Sequence, residues 1–157
     1  MSDPTTIDSP QEAVASDHLF AIGERLRTQD NRCTRDPMFC VQILVVEPRP
    51  EGMGVGKCWW NPGEMECVYD EPPEDWDEYG ETNGWERYGY DERWETVMVA
   101  FTERGCEEYL ELDGHNVRRR AHQGKVRIYA ESWQRCPEML TIRKALMAND
   151  PVEARRP

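Results

Sequence analysis

The chain has 157 residues, 31 acidic against 19 basic side chains, a formal net charge of −12 and a hydrophobic share of 38%. That length fits one ordinary domain, and the composition is too apolar for a wholly disordered chain. No apolar run approaches the roughly 20 residues of a transmembrane helix, and the negative charge sets the molecule against general nucleic-acid binding, which depends on lysine and arginine.

Residues 1–9 are polar and read as a disordered tail, without the basic start or apolar core of a signal peptide, so a cytoplasmic protein is expected. Val14, Leu19, Ile22 and Leu26 then recur at roughly helical spacing behind Pro10, which suits a first turn, predicting a helix over 10–28. MFCVQILVVE is short, apolar and β-branched, interrupted by Gln42, and predicts a central buried strand stopped by Pro48. PRPEGMGVGK reads as a mobile loop; its alternating glycines match neither phosphate-binding fingerprint and no helix follows. KCWWN and EMECVYD predict two short strands around a turn at 61–63. Residues 70–84 carry no apolar period and read as an acidic loop or short helix.

A second strong strand is expected at 94–101. Thr102 then suits the cap of a helix with Cys106, Tyr109, Leu110 and Leu112 toward one side and Gly114 as its stop. HNVRRRAHQGK reads as a basic loop, VRIYA as a strand, and 134–147 as a last helix with Pro137 in its first turn. Residues 149–157 read as a frayed tail. The expected fold is α+β, a mostly antiparallel sheet with two or three helices packed on one side. It forms a single domain over 10–148 with an acidic aromatic insertion at 64–95.

That insertion holds thirteen acidic residues against Arg87 and Arg93, a net −11 within 32 residues, which leaves the rest of the chain near neutral. Five of the six tryptophans, Trp59, Trp60, Trp76, Trp85 and Trp94, lie in or beside it. Acidic tails normally lack aromatics. Carboxylates interleaved with aromatic anchors suit a basic protein surface: charge steers the encounter, and tryptophan and tyrosine supply contact area. The partner-binding candidates are Asp70, Glu71, Glu74, Asp75, Trp76, Asp77, Glu78, Tyr79 and Glu81. The plainer alternative makes the tryptophans core and the carboxylates a solvated rim.

Six cysteines without a C-x-x-C pair give no zinc spacing, and no metal or cofactor is expected. Cys40 and Cys106 fit apolar faces as free thiols. His115, Asn116, Arg118, Arg119 and Arg120 form the alternative candidate, a phosphate-binding loop of a small enzyme or nucleotide-binding protein, with Cys106 and His115 as a conceivable nucleophile and base. Lys125 and Arg127 extend the basic cluster. A third reading is a self-associating structural protein, a homodimer in which the basic loop of one copy holds the acidic loop of another.

Trp94, Glu95, Phe101, Thr102, Glu103, Gly105, Cys106, Tyr109, Gly114, His115, Asn116, Arg127, Ile128, Tyr129 and Ser132 form a W-E-x-V-x-x-x-F-T-E-x-G-C-x-x-Y-L pattern followed by G-H-N, R-I-Y and a serine. This pattern, within roughly 42–147, resembles small proteins of tailed phages and prophages to which no activity is attached. The extra arginines and His122 between G-H-N and R-I-Y depart from it. The resemblance implies a phage or prophage origin. Small acidic phage accessory proteins often inhibit host defences such as restriction or CRISPR, so the expected function is non-enzymatic: binding and inhibiting a host nucleic-acid-handling or defence protein, with nucleic-acid mimicry as one form.

Overall fold

The structure, a computed structural model, describes residues 10–32, 34–76 and 83–148. Its elements run α1 (Pro10–Thr28), β1 (Pro37–Arg49), β2 (Gly56–Asn61), β3 (Glu66–Tyr69), β4 (Glu86–Ala100), α2 (Glu103–Arg120), a short 3-10 turn (His122–Gly124), β5 (Val126–Ser132) and α3 (Pro137–Ala148). The fold is α+β: one five-stranded antiparallel sheet in the order β3-β2-β4-β1-β5, and three helices. By contact the chain divides into two compact units, one of Met1–Gln42, Thr96–His115 and Arg127–Pro157, the other of Ile43–Glu95 and Asn116–Val126. Elements β1, β4 and α2 each pass from one unit into the other.

In the first unit, Met38, Phe39, Cys40 and Val41 are all buried, so this part of β1 is covered on both faces, as its unbroken apolar run requires. Gln42, the polar interruption, is 5% exposed and fully employed. Its Nε2 donates to Thr96 Oγ1 at 3.1 Å and its Oε1 accepts from Arg127 Nε at 2.9 Å. A buried amide satisfied at both ends avoids the penalty of lost hydration. Helix α1 packs closely on α3: a Cβ added at Gly23 would strike the Leu146 carbonyl oxygen, and Arg27 donates to the Met147 carbonyl. Arg25 grips Glu108 of α2 with two hydrogen bonds, 3.0 and 2.8 Å. Thr102 caps α2, its Oγ1 accepting from Gly105 N–H at 3.1 Å.

In the second unit, β2 pairs antiparallel with both β3 and β4. Arg49 pairs with Asp91 and Glu47, Arg93 with Glu47 and Glu95, and Arg87 with Glu51. The glycine-rich loop expected to be mobile is fixed to β4 by Val55 N–H donating to the Tyr90 carbonyl at 2.8 Å. Gly54, at φ +91°, and Gly89 have no room for a Cβ, because the Tyr90 and Met53 carbonyls lie against them.

Several local expectations are corrected. Strand β1 continues through Pro48 to Arg49, and β4 begins at Glu86, well before position 94. Helix α2 does not stop at Gly114, which is buried mid-helix; HNVRRR is its last stretch and not a loop. Glycine costs a helix about 1 kcal/mol, an amount tertiary packing readily outweighs. Leu112, expected on the apolar side, is 89% exposed. Residues 1–9, 77–82 and 149–157 lie outside the described residues, and with them both expected tails. No helix among the described residues is long and apolar enough to cross a membrane.

Candidate partner-binding surface

The surface is built on the β2–β3 hairpin. Asn61 Oδ1 accepts from the N–H groups of Gly63 and Glu64 at 3.0 and 3.3 Å, a local polar turn that returns the chain as β3. After β3, Asp70 adopts φ +71° and donates its N–H to the Lys57 carbonyl at 2.8 Å. Residues 71–76 continue as turns, with Trp76 N–H donating to the Pro73 carbonyl at 2.9 Å, so this described part of the acidic segment is a loop. Its end is anchored. The Trp76 ring meets buried Trp59 edge-to-face, with centroids 6.2 Å apart. Asn83 Nδ2 donates to the Asp75 carbonyl, while Asn61 Nδ2 donates to the Asn83 carbonyl, each at 3.3 Å.

The carboxylates of the second unit fall into two groups. Glu47, Glu51, Asp91 and Glu95 are paired with arginines, and Glu86 accepts from Tyr88 Oη at 2.6 Å. Asp70 accepts from Tyr90 Oη at 2.5 Å, and this bond, with burial second, pushes the Tyr90 phenol up to about 12. Glu71, Glu74 and Asp75, like Glu64, Glu66 and Glu92, are exposed, and their carboxylates have no partner among the described residues. Of the nine candidates, then, Asp70 is engaged internally, Trp76 is a half-buried anchor, and Glu71, Glu74 and Asp75 are exposed without a side-chain partner among the described residues. Asp77, Glu78, Tyr79 and Glu81 lie outside the described residues.

The tryptophans serve both readings of the sequence at once. Trp59 and Trp85 are core, 4% and 5% exposed, whereas Trp60 and Trp76 are half-buried. Sequence reasoning missed the feature on the other face of the hairpin. Cys58, Trp60, Cys67, Tyr69 and Tyr88, together with Pro48, line an apolar groove of about 450 Å³. The signal was the period of two in KCWWN, ECVY and ERYGY, which sorts these side chains to one face.

The alternative candidates His115, Asn116, Arg118, Arg119 and Arg120 lie on the C-terminal stretch of α2. His115 is exposed on α2, one turn before Arg118 and Arg119, which with Arg120 are exposed on the last turn of the same helix. Cations there complement the negative end of the helix dipole, an end that disfavours phosphate. Arg120 lines, with Tyr69, His122 and Gln123, an open cavity of about 490 Å³. Arg127 is engaged by other groups: its Nε donates to Gln42 Oε1 and its guanidinium lies 4.8 Å from the Tyr129 ring centroid. Cys106 is fully buried, which pushes its thiol up to about 11. Nine residues along a helix put His115 on roughly the opposite side from Cys106, so the two do not form a nucleophile and base. The described cysteines, Cys40, Cys58, Cys67, Cys106 and Cys136, are free thiols, and no cluster of three metal-ligating side chains occurs among the described residues.

Comparison adds no relative. The chain matches no protein-family model, no curated protein and no solved structure.

Proposed function

We propose that this chain is a non-enzymatic, phage-type accessory protein that binds and inhibits a host defence or nucleic-acid-handling protein, of the anti-restriction or anti-CRISPR kind, in the bacterial cytoplasm. One observation carries the reading: Glu71, Glu74 and Asp75 stand exposed, with no ion pair among the described residues, on a loop whose Trp76 is anchored on the buried Trp59, while Glu47, Glu51, Asp91 and Glu95 are paired with arginines. A merely solubilising run needs no such anchor. Fixed carboxylates lose less freedom on binding and complement a basic nucleic-acid-binding surface in place of phosphates.

The test is capture from bacterial lysate at low salt, followed by elution with duplex DNA. Wild type is expected to retain a nucleic-acid-binding protein that DNA displaces. The variant Glu71→Lys, Glu74→Lys, Asp75→Lys is expected to fold normally and lose at least tenfold in capture. Equal capture by the variant, or an empty lane for wild type, refutes the reading.

A further inference from the structure

The groove opposite the acidic loop specifies how a basic partner would be held. In the β2–β3–β4 register, Cys58 lies opposite both Tyr69 and Tyr88, and Trp60 opposite both Cys67 and Glu86. Directly opposed residues of an antiparallel sheet share a face. Three half-buried rings, Trp60, Tyr69 and Tyr88, therefore gather around one apolar groove. Glu86 stands beside Trp60 on that face and accepts from the Tyr88 hydroxyl, which enriches that ring in electrons. No lysine or arginine lines the groove, while the far side of Tyr69 meets the His122 ring, with centroids 4.5 Å apart, in the cavity that Arg120 also lines. Burial first, then the neighbouring Cys67, pushes the Cys58 thiol up to about 11, so the floor is uncharged at neutral pH. Aromatic faces, one carboxylate and an uncharged floor suit a cationic side chain with an apolar stem.

The groove lies at the border of the sheet, because β3 is its end strand. Asp70 N–H bonds the Lys57 carbonyl, so in the alternating antiparallel pattern Cys67 and Tyr69 turn their main-chain groups outward, where the Tyr69 carbonyl already accepts one bond, from Glu71 N–H at 2.8 Å. An extended segment laid along that edge would send successive side chains to opposite faces of the sheet. One set would meet the aromatic groove. The other would meet the face of Trp59, which carries Glu66 and the loop anchored by Trp76.

We propose that an extended, arginine-bearing segment of the protein partner adds to the edge of β3 and seats one arginine side chain in the groove of Trp60, Tyr69 and Tyr88. Arginine is favoured over lysine because its flat, weakly hydrated guanidinium stacks on aromatic rings. The proposal rests on the preceding reading for the nature of the partner, and on the groove for the manner of binding.

The test titrates the full chain, followed by amide NMR, with a short peptide of alternating arginine and threonine, and with a second peptide carrying neutral citrulline in place of arginine. The arginine peptide is expected to shift the amides of β3 and the Trp60 indole, and to bind at least tenfold more tightly than the citrulline peptide. Trp60→Leu and Tyr88→Leu should each lower affinity at least tenfold, with Tyr88→Phe retaining most of it; unchanged spectra elsewhere establish that the variants fold. Equal binding of the two peptides, unchanged binding by both groove variants, or no binding at all overturns the proposal. If the Glu71, Glu74 and Asp75 reversal alone abolishes peptide binding, the groove is wrong and the acidic loop stands. If the peptide occupies the groove while no nucleic-acid-binding protein is captured from lysate, the groove stands and the host-inhibitor reading falls.

Discussion

Trp76 and Cys106 show what single side chains contribute. Trp76 ties the acidic loop to the Trp59 face, and aromatic pairs of this kind contribute about 0.5–1.5 kcal/mol beyond the area they bury. Trp76→Ala is expected to destabilise the protein by about 1–2 kcal/mol in urea denaturation and to weaken partner capture although no carboxylate is touched. A stability loss with capture unchanged would show that the loop needs no anchor to bind. Cys106 acts through its proton. Its thiol is raised from the ordinary 9.0 to about 11 by burial, so the folded chain keeps it protonated where the unfolded chain ionises it. The associated stability is present below pH 9 and is lost as pH rises toward 11, because there the unfolded state binds fewer protons than the folded state. Melting temperatures measured between pH 8 and 10.5 are expected to fall, and to fall less steeply in Cys106→Ala. Equal slopes would mean that the thiol is accessible.

At the level of elements, the contact of α1 with α3 is made possible by Gly23. Two effects of Gly23→Ala oppose each other. Alanine favours the helix by about 1 kcal/mol, while its methyl would strike the Leu146 main-chain carbonyl, a group that cannot swing aside as a side-chain tip can. Overpacking of this kind costs about 1–3 kcal/mol, so the variant is expected to be destabilised on balance. A rise in the urea midpoint would instead mean that α3 moves away at little cost. The same competition between local preference and packing accounts for α2. By local preference Gly114 marks a helix end; in the fold it is buried, and the helix continues to Arg120. Pro37, Pro48 and Pro137 show where local rules hold and where they do not. Pro137 opens α3 and Pro37 opens β1, positions that need no amide donor. Pro48 lies within β1, where the sequence placed a stop.

Across the whole chain, the net charge of −12 is concentrated in one fifth of the sequence. Pairing with Arg49, Arg87 and Arg93 takes up Glu47, Glu51, Asp91 and Glu95, and leaves the loop carboxylates Glu71, Glu74 and Asp75, with Glu64, Glu66 and Glu92, without an ion pair among the described residues. Partner capture through Glu71, Glu74 and Asp75 should accordingly weaken as salt rises, since exposed charges are screened within about 8 Å at physiological ionic strength. The element types, the location of the charge and the presence of aromatics within it were legible because each is a local property: a period of 3.6 or 2, a count, a neighbour. The helix over 10–28 and the hairpin turn at 61–63 were read this way. Partner identities were not legible. Nothing in MFCVQILVVE tells that Gln42 will find Thr96 and Arg127, that Asp70 will be taken up by Tyr90, or that Trp59 and Trp60, adjacent in sequence, will face core and groove respectively. Such pairings join residues tens of positions apart and depend on strand order and register. By itself the sequence determined the α+β class and a charged, aromatic segment to present. Only the tertiary structure decided which carboxylates stay free and which rings form a groove, because only there does each side chain meet the groups that satisfy it.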